Sequence, residues 1–220
     1  MLVVVAAGPG LGAAVARRFA RQGWSIGLVA RSEQGVQAVA SGVRDIAHVP
    51  VATATADVAD EAALASALAD VTAALGPACA VVYNGSAYVE GSPLQLTPAG
   101  LRHALDVGVT GALVTAQTMA PELRARAAGG GASALLLTGS VAADRASTTA
   151  AAVGVAKAAL RNLALSLHKE LAADGVRVVT VTIDGVLQGP KALDLDQLAD
   201  FYWQLVAGDE APKAQLRYPA

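Results

Sequence analysis

A glycine cluster near the amino terminus has the composition and spacing of a phosphate-binding turn. The run Gly8-Pro-Gly-Leu-Gly12 follows a short apolar, β-favouring segment and leads directly into an amphipathic one. Gly8, Gly10 and Ala13 fit the pattern G-x-G-x-x-G/A, in which glycine lets the main chain approach a pyrophosphate closely. The N–H groups at the start of the following helix then bind the phosphate oxygens. A plain tight turn is the alternative, and the strand-turn-helix context favours a dinucleotide site.

A basic residue stands where the type of dinucleotide is normally selected. Arg31 follows the apolar run 24–30, and no acidic residue ends that run to bind a ribose 2′-hydroxyl. A guanidinium at this point forms a charge-assisted pair with a 2′-phosphate. The sequence therefore favours NADP as the cofactor and leaves NAD open. The alternative for Arg31 is a solvated surface charge.

Composition argues against several classes of protein. The 220 residues carry a formal net charge of −2 without a cluster of Lys or Arg, which gives nucleic-acid binding no electrostatic support. No apolar run reaches the roughly eighteen residues that a membrane helix needs, and the apolar start is too short for a signal peptide. Cys79 is the single cysteine, so no disulfide forms within the chain and a reducing, cytoplasmic location is expected.

Apolar runs of strand length alternate with segments of helical periodicity. After the first strand, which leads into the glycine cluster, we expect strands over 24–30, 47–53, 78–83, 132–138, 176–183 and 215–218. We expect helices over 13–22, 32–43, 57–75, 98–127, 149–173 and 193–206, with His103 and His168 facing solvent. The alternation predicts an α/β fold, with one Rossmann-like, doubly wound parallel sheet of about seven strands between two layers of helices. Residues 1–220 are expected to form one domain.

These features, in this order, resemble the short-chain dehydrogenase/reductase family over nearly the whole chain. The glycine loop of that family reads G-x-x-x-G-x-G; Gly10 and Gly12 match its last two glycines, and Ala6 stands at the first. Three further segments are similar to nucleotide-binding motifs of the family: Ala30-Arg31, the pair Asp57-Val58, and Asn84-Gly85-Ser86-Ala87. Three more are similar to motifs around its active site: Ser140, Lys157, and Ile183-Asp184-Gly185, in which Asp184 replaces a proline.

The resemblance implies a reaction and a site. It implies oxidation or reduction of a small alcohol or carbonyl substrate with a nicotinamide dinucleotide, in a homodimer or homotetramer assembled through the helices 98–127 and 149–173. It implies catalytic roles for Ser140 and Lys157. The residues that it assigns to the cofactor are Gly8, Pro9, Gly10, Leu11, Gly12, Arg31, Asp57, Val58, Asn84, Gly85, Lys157, Ile183 and Gly185.

The sequence departs from the family pattern at two positions that hold catalytic residues in the family. Val153 occupies the tyrosine position of Y-x-x-x-K, and Gly108 occupies the position of an asparagine in the preceding long helix. Valine has no proton to donate, and loss of a positioned general acid costs on the order of 10² to 10⁴ in rate. Two hypotheses follow: an oxidoreductase with an altered active site, and a catalytically inactive dinucleotide-binding sensor or regulator.

Several residues are candidates to replace the missing acid. They are Lys157 acting with a water, Ser140, and a tyrosine contributed by a loop, either Tyr83 or Tyr88. Each has an alternative role. For Lys157 the favoured role is binding of the ribose hydroxyls of the cofactor, and Ser140 is equally well explained as a partner of backbone groups at the end of a strand.

Overall fold

Parallel strands form the centre of the fold. The structure is a computed structural model that describes residues 1–208 and 212–219. Within those residues the strands are β1 (Leu2–Val5), β2 (Ile26–Ala30), β3 (Val51–Thr55), β4 (Ala80–Tyr83), β5 (Ala134–Ser140), β6 (Arg177–Ile183) and β7 (Gln215–Tyr218). They form one seven-stranded sheet in the order β3-β2-β1-β4-β5-β6-β7. Each pair of neighbours is parallel, and the strand order reverses direction between β1 and β4.

Helices cover both faces of this sheet. They are α1 (Leu11–Ala20), α2 (Glu33–Arg44), α3 (Glu61–Leu75), α4 (Pro98–Leu105), α5 (Gly111–Ala128), α6 (Ala151–Leu171) and α7 (Leu195–Ala207). The sheet packs with α1, α2 and α7 in one core and with α3, α5 and α6 in the other. Because successive residues of a strand point to opposite faces, Leu2 and Val4 enter the first core, and Val3 and Val5 the second. The predicted doubly wound α/β fold is confirmed.

The predicted start of the third strand is wrong by several residues. β3 begins at Val51, whereas the sequence analysis placed its start at residue 47. Pro50 precedes it and has no N–H to give to a strand ladder, so regular pairing begins only after it. The Pro50 carbonyl still accepts a hydrogen bond from the Ile26 N–H, at 2.9 Å.

The start of the third helix is also later than predicted. α3 begins at Glu61, after Asp60, whose carboxylate caps the helix by accepting from the Ala63 N–H at 3.0 Å. Asp57, the predicted first residue, instead accepts from the Ala59 N–H at 3.0 Å and forms a turn. That turn leaves Asp57 in the loop at the carboxyl end of β3.

The predicted helix over 98–127 is interrupted. A π-helical segment, Asp106–Thr110, separates α4 from α5, and such segments often occur at functional sites. The prediction that His168 faces solvent is wrong: it is half-buried, and its Nδ1 lies 2.9 Å from the Val178 carbonyl oxygen. No helix in the described part of the chain is long and apolar enough to cross a membrane.

Candidate cofactor and active site

The glycine loop leaves the amino end of α1 open. The helix begins after Gly10, and no side chain caps it. A Cβ at Gly12 would lie 3.1 Å from the Ala7 Cα, so the close approach of loop and helix requires glycine there. A Cβ at Gly8 or Gly10 would meet nothing within 4 Å. The loop therefore presents open backbone and uncapped N–H groups, which a phosphate site needs.

Ala6, at the start of the loop, has a strained backbone. Its φ of 57° lies in the left-handed region, which costs an L-residue about 1–2 kcal/mol. The Ala6 carbonyl accepts from the Gly8 N–H at 2.9 Å and so tightens the turn. This is the position at which the resemblance expects the first glycine of the loop.

A cavity of about 550 Å³ opens over the glycine loop. Its wall comes from the carboxyl ends of four neighbouring strands, β1 to β4, and includes Gly8, Pro9, Arg31, Asp57, Val58, Asn84 and Gly85. The cavity thus lies where the strand order reverses, at the usual ligand position of doubly wound sheets. Its volume is within the range of small-molecule and cofactor sites.

Arg31 stands at the edge of this cavity without a protein partner. It makes no hydrogen bond or ion pair with any residue that the structure describes. Ser32 beside it caps α2 by accepting from the Gly35 N–H at 3.2 Å. The nearby carboxylate of Glu33 is engaged with the Thr55 hydroxyl, at 2.9 Å. The guanidinium is therefore accessible to an anion, whereas the start of α2 is already capped by Ser32.

Tyr83, the last residue of β4, is fully buried and is not an accessible acid. Its hydroxyl donates a hydrogen bond to the Val107 carbonyl in the π-helical segment. Burial, assisted by the charge of Asp57, raises the pKa of Tyr83 far above its ordinary value. Of the two tyrosines considered as replacement acids, only Tyr88 lies open to the cavity, with 69% of it exposed.

Lys157 lies buried where β4 and β5 end. Its Nζ donates to the Gly85 carbonyl at 3.1 Å and to the Thr138 carbonyl at 2.8 Å. Burial lowers the pKa of Lys157 to about 8, so the ammonium form prevails at neutral pH. An ammonium has three N–H donors, and one of them remains for a further acceptor.

Ser140 ends β5 and pairs with Ile183 of β6. Its Oγ accepts from the Ala142 N–H at 3.1 Å and caps the short 3₁₀ turn Val141–Ala143. The serine therefore does bind backbone at the strand end, which was one of its two predicted roles. Its hydroxyl proton donates to no residue in the described part of the chain, so it is free for a second role.

Five charged residues, which we name the arginine–aspartate cluster, surround the turn after β6. Asp184 accepts from Arg145 Nη2, with a closest separation of 3.2 Å, and from Arg217 Nη1 at 2.9 Å. Asp144 accepts from Arg161 and, at 3.2 Å, from Arg217 Nη2. The hydrogen bond from Arg161, with the positive charges around it, lowers the pKa of Asp144. Asp144 is therefore ionised at neutral pH.

The glycine loop, the cavity over it and the lysine behind it can be compared with known proteins. A family model described as short chain dehydrogenase matches residues 1–190. The chain belongs to the short-chain dehydrogenase family. Members of this family are oxidoreductases that bind NAD or NADP.

Individual relatives of this short-chain dehydrogenase are distant. Sulfoacetaldehyde reductase 2 of Chromohalobacter salexigens is 30% identical over 182 residues, which make up 82% of this chain and 70% of the relative. 3-Dehydrosphinganine reductase TSC10B of Arabidopsis thaliana is 27% identical over 77% of this chain, which spans half the length of that relative. The structure of NADH-dependent reductase A1-R′ complexed with NAD matches with a TM-score of 0.88 and 21% identity, over 98% of this chain and 93% of that one. That match shows the common fold.

Most of the predicted cofactor residues of this short-chain dehydrogenase meet around one cavity. Seven of the predicted residues line it, as described above. Gly10 directly precedes α1, and Leu11 and Gly12 are buried in the first turn of that helix. Lys157 reaches the wall only through the Gly85 carbonyl. Ile183 and Gly185 lie apart from this cavity, at the carboxyl end of β6. The roles of all these residues stay predictions.

Some residues of the cavity wall were not predicted. They include Ser32, Gly35 and His103. The start of α2 beside Arg31 was a usable signal for Ser32 and Gly35, because helix starts bind phosphate. His103 is exposed on α4, as expected, but its place on the cavity wall follows only from how α4 packs.

The two departures from the family pattern lie on α6 and on the π-helical segment. Val153 lies one helical turn before Lys157 on α6 and is half-buried. Gly108 lies in the π-helical segment, and a Cβ there would approach the Ala156 Cβ to 3.1 Å. The segment and α6 are therefore too close for a larger residue without a shift. That Val153 replaces the catalytic tyrosine of the family remains a prediction from the sequence.

Proposed function

We propose that this chain is an NADP-dependent oxidoreductase that interconverts a small carbonyl compound and its alcohol. The observation that carries the proposal is Arg31, a guanidinium without a protein partner at the edge of a cavity of about 550 Å³. A cation in this place, next to the start of α2, suits the additional phosphate that distinguishes NADP from NAD. The reductase activities named for two relatives support the reaction type.

The residues around the cavity fit the parts of a dinucleotide. We assign the pyrophosphate to the loop Gly8–Gly12 and the start of α1, which no side chain caps and where a Cβ at Gly8 or Gly10 would meet nothing within 4 Å. The 2′-phosphate is assigned to Arg31, and the adenine to Asp57 and Val58. Asn84 and Gly85 extend the site toward β5, and Ile183 and Gly185 are assigned to its nicotinamide end.

The chain itself must supply the proton that converts a reduced carbonyl into an alcohol, because the cofactor supplies only the hydride. Ser140 carries a hydroxyl proton that is not donated within the described structure, and we assign it to the substrate oxygen. Lys157 keeps one N–H free, which we assign to the ribose hydroxyls. With a pKa of about 8, the same ammonium restores the proton through water.

The cofactor assignment is tested by titrating the protein with NADPH and NADH while following ligand fluorescence. We expect NADPH to bind about tenfold or more tightly than NADH, and Arg31→Asp to remove that preference, because a charge-assisted pair is lost. Arg21→Asp is the matched control, since Arg21 is also exposed and has no partner in the described structure. An unchanged preference in Arg31→Asp would contradict the assignment.

A second candidate function is a dinucleotide-binding sensor or regulator without catalysis. The observation that favours it is the apolar side chain of Val153 one turn before Lys157, with Gly108 closely packed against α6. Val153→Tyr separates the two functions in an assay of NADPH-dependent reduction of generic ketones and aldehydes. An oxidoreductase reduces at least one of them before the substitution and gains about 10²-fold or more after it; a sensor is active only after it. Failure of both cofactors to bind at millimolar concentration would contradict both functions.

The proposal includes a homodimer or homotetramer in a reducing, cytoplasmic environment. Leu113 on α5 is an exposed apolar residue, at 36%, on one of the two helices assigned to the interface. Sedimentation velocity of the purified chain measures the assembly. A monomer at micromolar concentration would contradict this part of the proposal.

A further inference from the structure

The arginine–aspartate cluster lies at the carboxyl edge of the sheet, next to the residues proposed for chemistry. Asp184 directly follows Ile183, the β6 partner of Ser140. Arg217 belongs to β7, and Arg145 belongs to the segment between β5 and α6. Asp184, Arg217 and Arg145 therefore come from separate elements of the fold. Their charged groups meet at Asp184, one residue beyond the Ser140–Ile183 pair.

The cluster carries a surplus positive charge. Three guanidinium groups face two carboxylates, and each carboxylate already binds two arginines. Arg145 is the most open of the three, with a side chain that is 65% exposed, against 26% for Arg161 and 46% for Arg217. It contacts Asp184 through Nη2 alone, so Nε and Nη1 have no acceptor in the described residues. The surplus charge is thus accessible at Arg145.

Arg145 also lines a second cavity, of about 380 Å³. Most of the wall is apolar and is formed by alanines, Pro93 and Val155. Ala142 belongs to this wall and donates its N–H to Ser140 Oγ at 3.1 Å, so a residue of the wall contacts that serine directly. Asp144, the acid of the wall, is neutralised by Arg161 and Arg217. A small organic anion fits this combination of an apolar volume and an open guanidinium.

We propose that Arg145 binds the anionic group of the substrate, and that the substrate is a small carbonyl compound carrying a carboxylate or sulfonate. The substrate class rests on the proposed oxidoreductase function, whereas the anion site rests on the cluster itself. Arg145 is then a specificity-determining residue. It selects anionic over neutral carbonyl compounds because a guanidinium donates charge-assisted hydrogen bonds to an anion and only weaker ones to an amide.

The anion site is tested by calorimetry on the full chain in the presence of NADP. The probes are butanoate, propane-1-sulfonate and the neutral butanamide. We expect each anion to bind, Arg145→Gln to weaken that binding about tenfold or more, and Arg145→Lys to weaken it less. Binding of only one of the two anions identifies the group that the site selects. Equal binding of butanoate by the parent and Arg145→Gln, or equal binding of butanamide and butanoate by the parent, overturns the site.

Arg124→Gln is the matched control for these measurements. Arg124 is also a partly exposed arginine, and it pairs with Asp174 and Glu170 away from both cavities. Its loss should leave anion binding within about twofold of the parent. A loss of binding equal to that of Arg145→Gln would show a general charge effect and overturn the assignment to Arg145.

The substrate class is tested by turnover of the isosteric pair 4-oxobutanoate and 4-oxobutanamide with NADPH. We expect kcat/KM to favour the anion by about tenfold or more, and Arg145→Gln to remove the preference by raising KM for the anion much more than KM for the amide. Turnover of both compounds without preference overturns the role of Arg145 and leaves the oxidoreductase function. Arg145-dependent butanoate binding without turnover of any carbonyl compound, including generic ketones, overturns the oxidoreductase function and the substrate class, and leaves the anion site.

Discussion

The two ends of the carboxyl edge of the sheet differ in how their polar groups are occupied. At the end formed by β1 to β4, the start of α1 has no side-chain cap, and Arg31 has no partner in the described residues. At the end formed by β5 to β7, Lys157 binds two carbonyls, and Ser140 binds a backbone N–H. Asp184 there binds two arginines.

This difference separates the proposed cofactor site from the proposed site of the reaction. Unpaired donors around a cavity are what a dinucleotide phosphate needs, because each new contact replaces water alone. Groups that already have protein partners are held rigidly, but they offer fewer contacts to a ligand. We call the end at β1 to β4 the nucleotide end and the end at β5 to β7 the reaction end, after the parts of the reaction assigned to them above. The nucleotide end therefore retains the features expected of the family, whereas the reaction end depends on the donors that Lys157, Ser140 and Arg145 have left.

The largest effect expected at the reaction end concerns Lys157. Its pKa falls from an ordinary 10.5 to about 8 in the folded chain, so between these values the unfolded state binds more protons than the folded state. The free energy of unfolding should then rise with pH by up to about 1.4 kcal/mol per pH unit across that window, and be flat below it. Lys157→Met should lack this slope.

Chemical denaturation of both proteins from about pH 7 to about pH 10 measures this effect. Lys169→Met is the control, because Lys169 is exposed on the same helix. Parallel pH profiles for the parent and Lys157→Met would show that burial does not lower the pKa of this lysine. The claim that the polar groups of the reaction end are held rigidly by the protein would then lose its support from Lys157.

A second prediction concerns the nucleotide end and compares two glycines. Gly12→Ala should lower the free energy of unfolding by about 1–3 kcal/mol, because its Cβ meets the Ala7 Cα at 3.1 Å. Gly8→Ala should leave stability unchanged, since its Cβ enters open space. It should nevertheless weaken NADPH binding about tenfold or more, because that space is needed for the phosphates.

Thermal melting together with NADPH titration separates the two glycines. Normal NADPH affinity in Gly8→Ala would show that the open space over the loop is not the phosphate site. The nucleotide end would then no longer be the part of the molecule that better retains the features expected of the family.

The smallest expected effect concerns Ala6. Ala6→Gly should raise the free energy of unfolding by about 0.5 kcal/mol, because relief of the left-handed strain exceeds the entropy that glycine adds to the unfolded chain. Ala7→Gly is the adjacent control and should destabilise the protein, since Ala7 is buried and has no positive φ. Urea denaturation measures both. A loss of stability in Ala6→Gly would mean that the loop stores no strain at this position.

The sequence predicted the architecture well because local patterns decide it. The apolar runs of β1, β2 and β4 are buried on both faces, and hydrophobic runs between helical segments are typical of parallel strands. Boundaries were less accurate where one side chain decides them: Pro50 delays β3, and the carboxylate of Asp60 rather than Asp57 caps α3. Neither effect changes the order of the elements.

That the residues assigned to the nucleotide lie close together was also predictable, because they follow strand ends within a few positions and parallel strands bring those ends together. Arg31, Asp57 and Asn84 reach one cavity for this reason. For the reaction end, the sequence predicted which residues are involved but not their contacts. The resemblance to the family identified Ser140 and Lys157, but it could not predict which backbone groups form hydrogen bonds with their side chains.

By itself, the sequence determined the α/β alternation, the glycine loop and the basic residue after the second strand. Those are properties of short segments with characteristic periodicity and spacing. Only the tertiary structure decided the two carbonyl partners of Lys157, the burial of Tyr83 and the meeting of Arg145, Asp184 and Arg217. These contacts join residues far apart in the chain, and their geometry depends on how helices and strands pack at one edge of the sheet, which no local pattern contains.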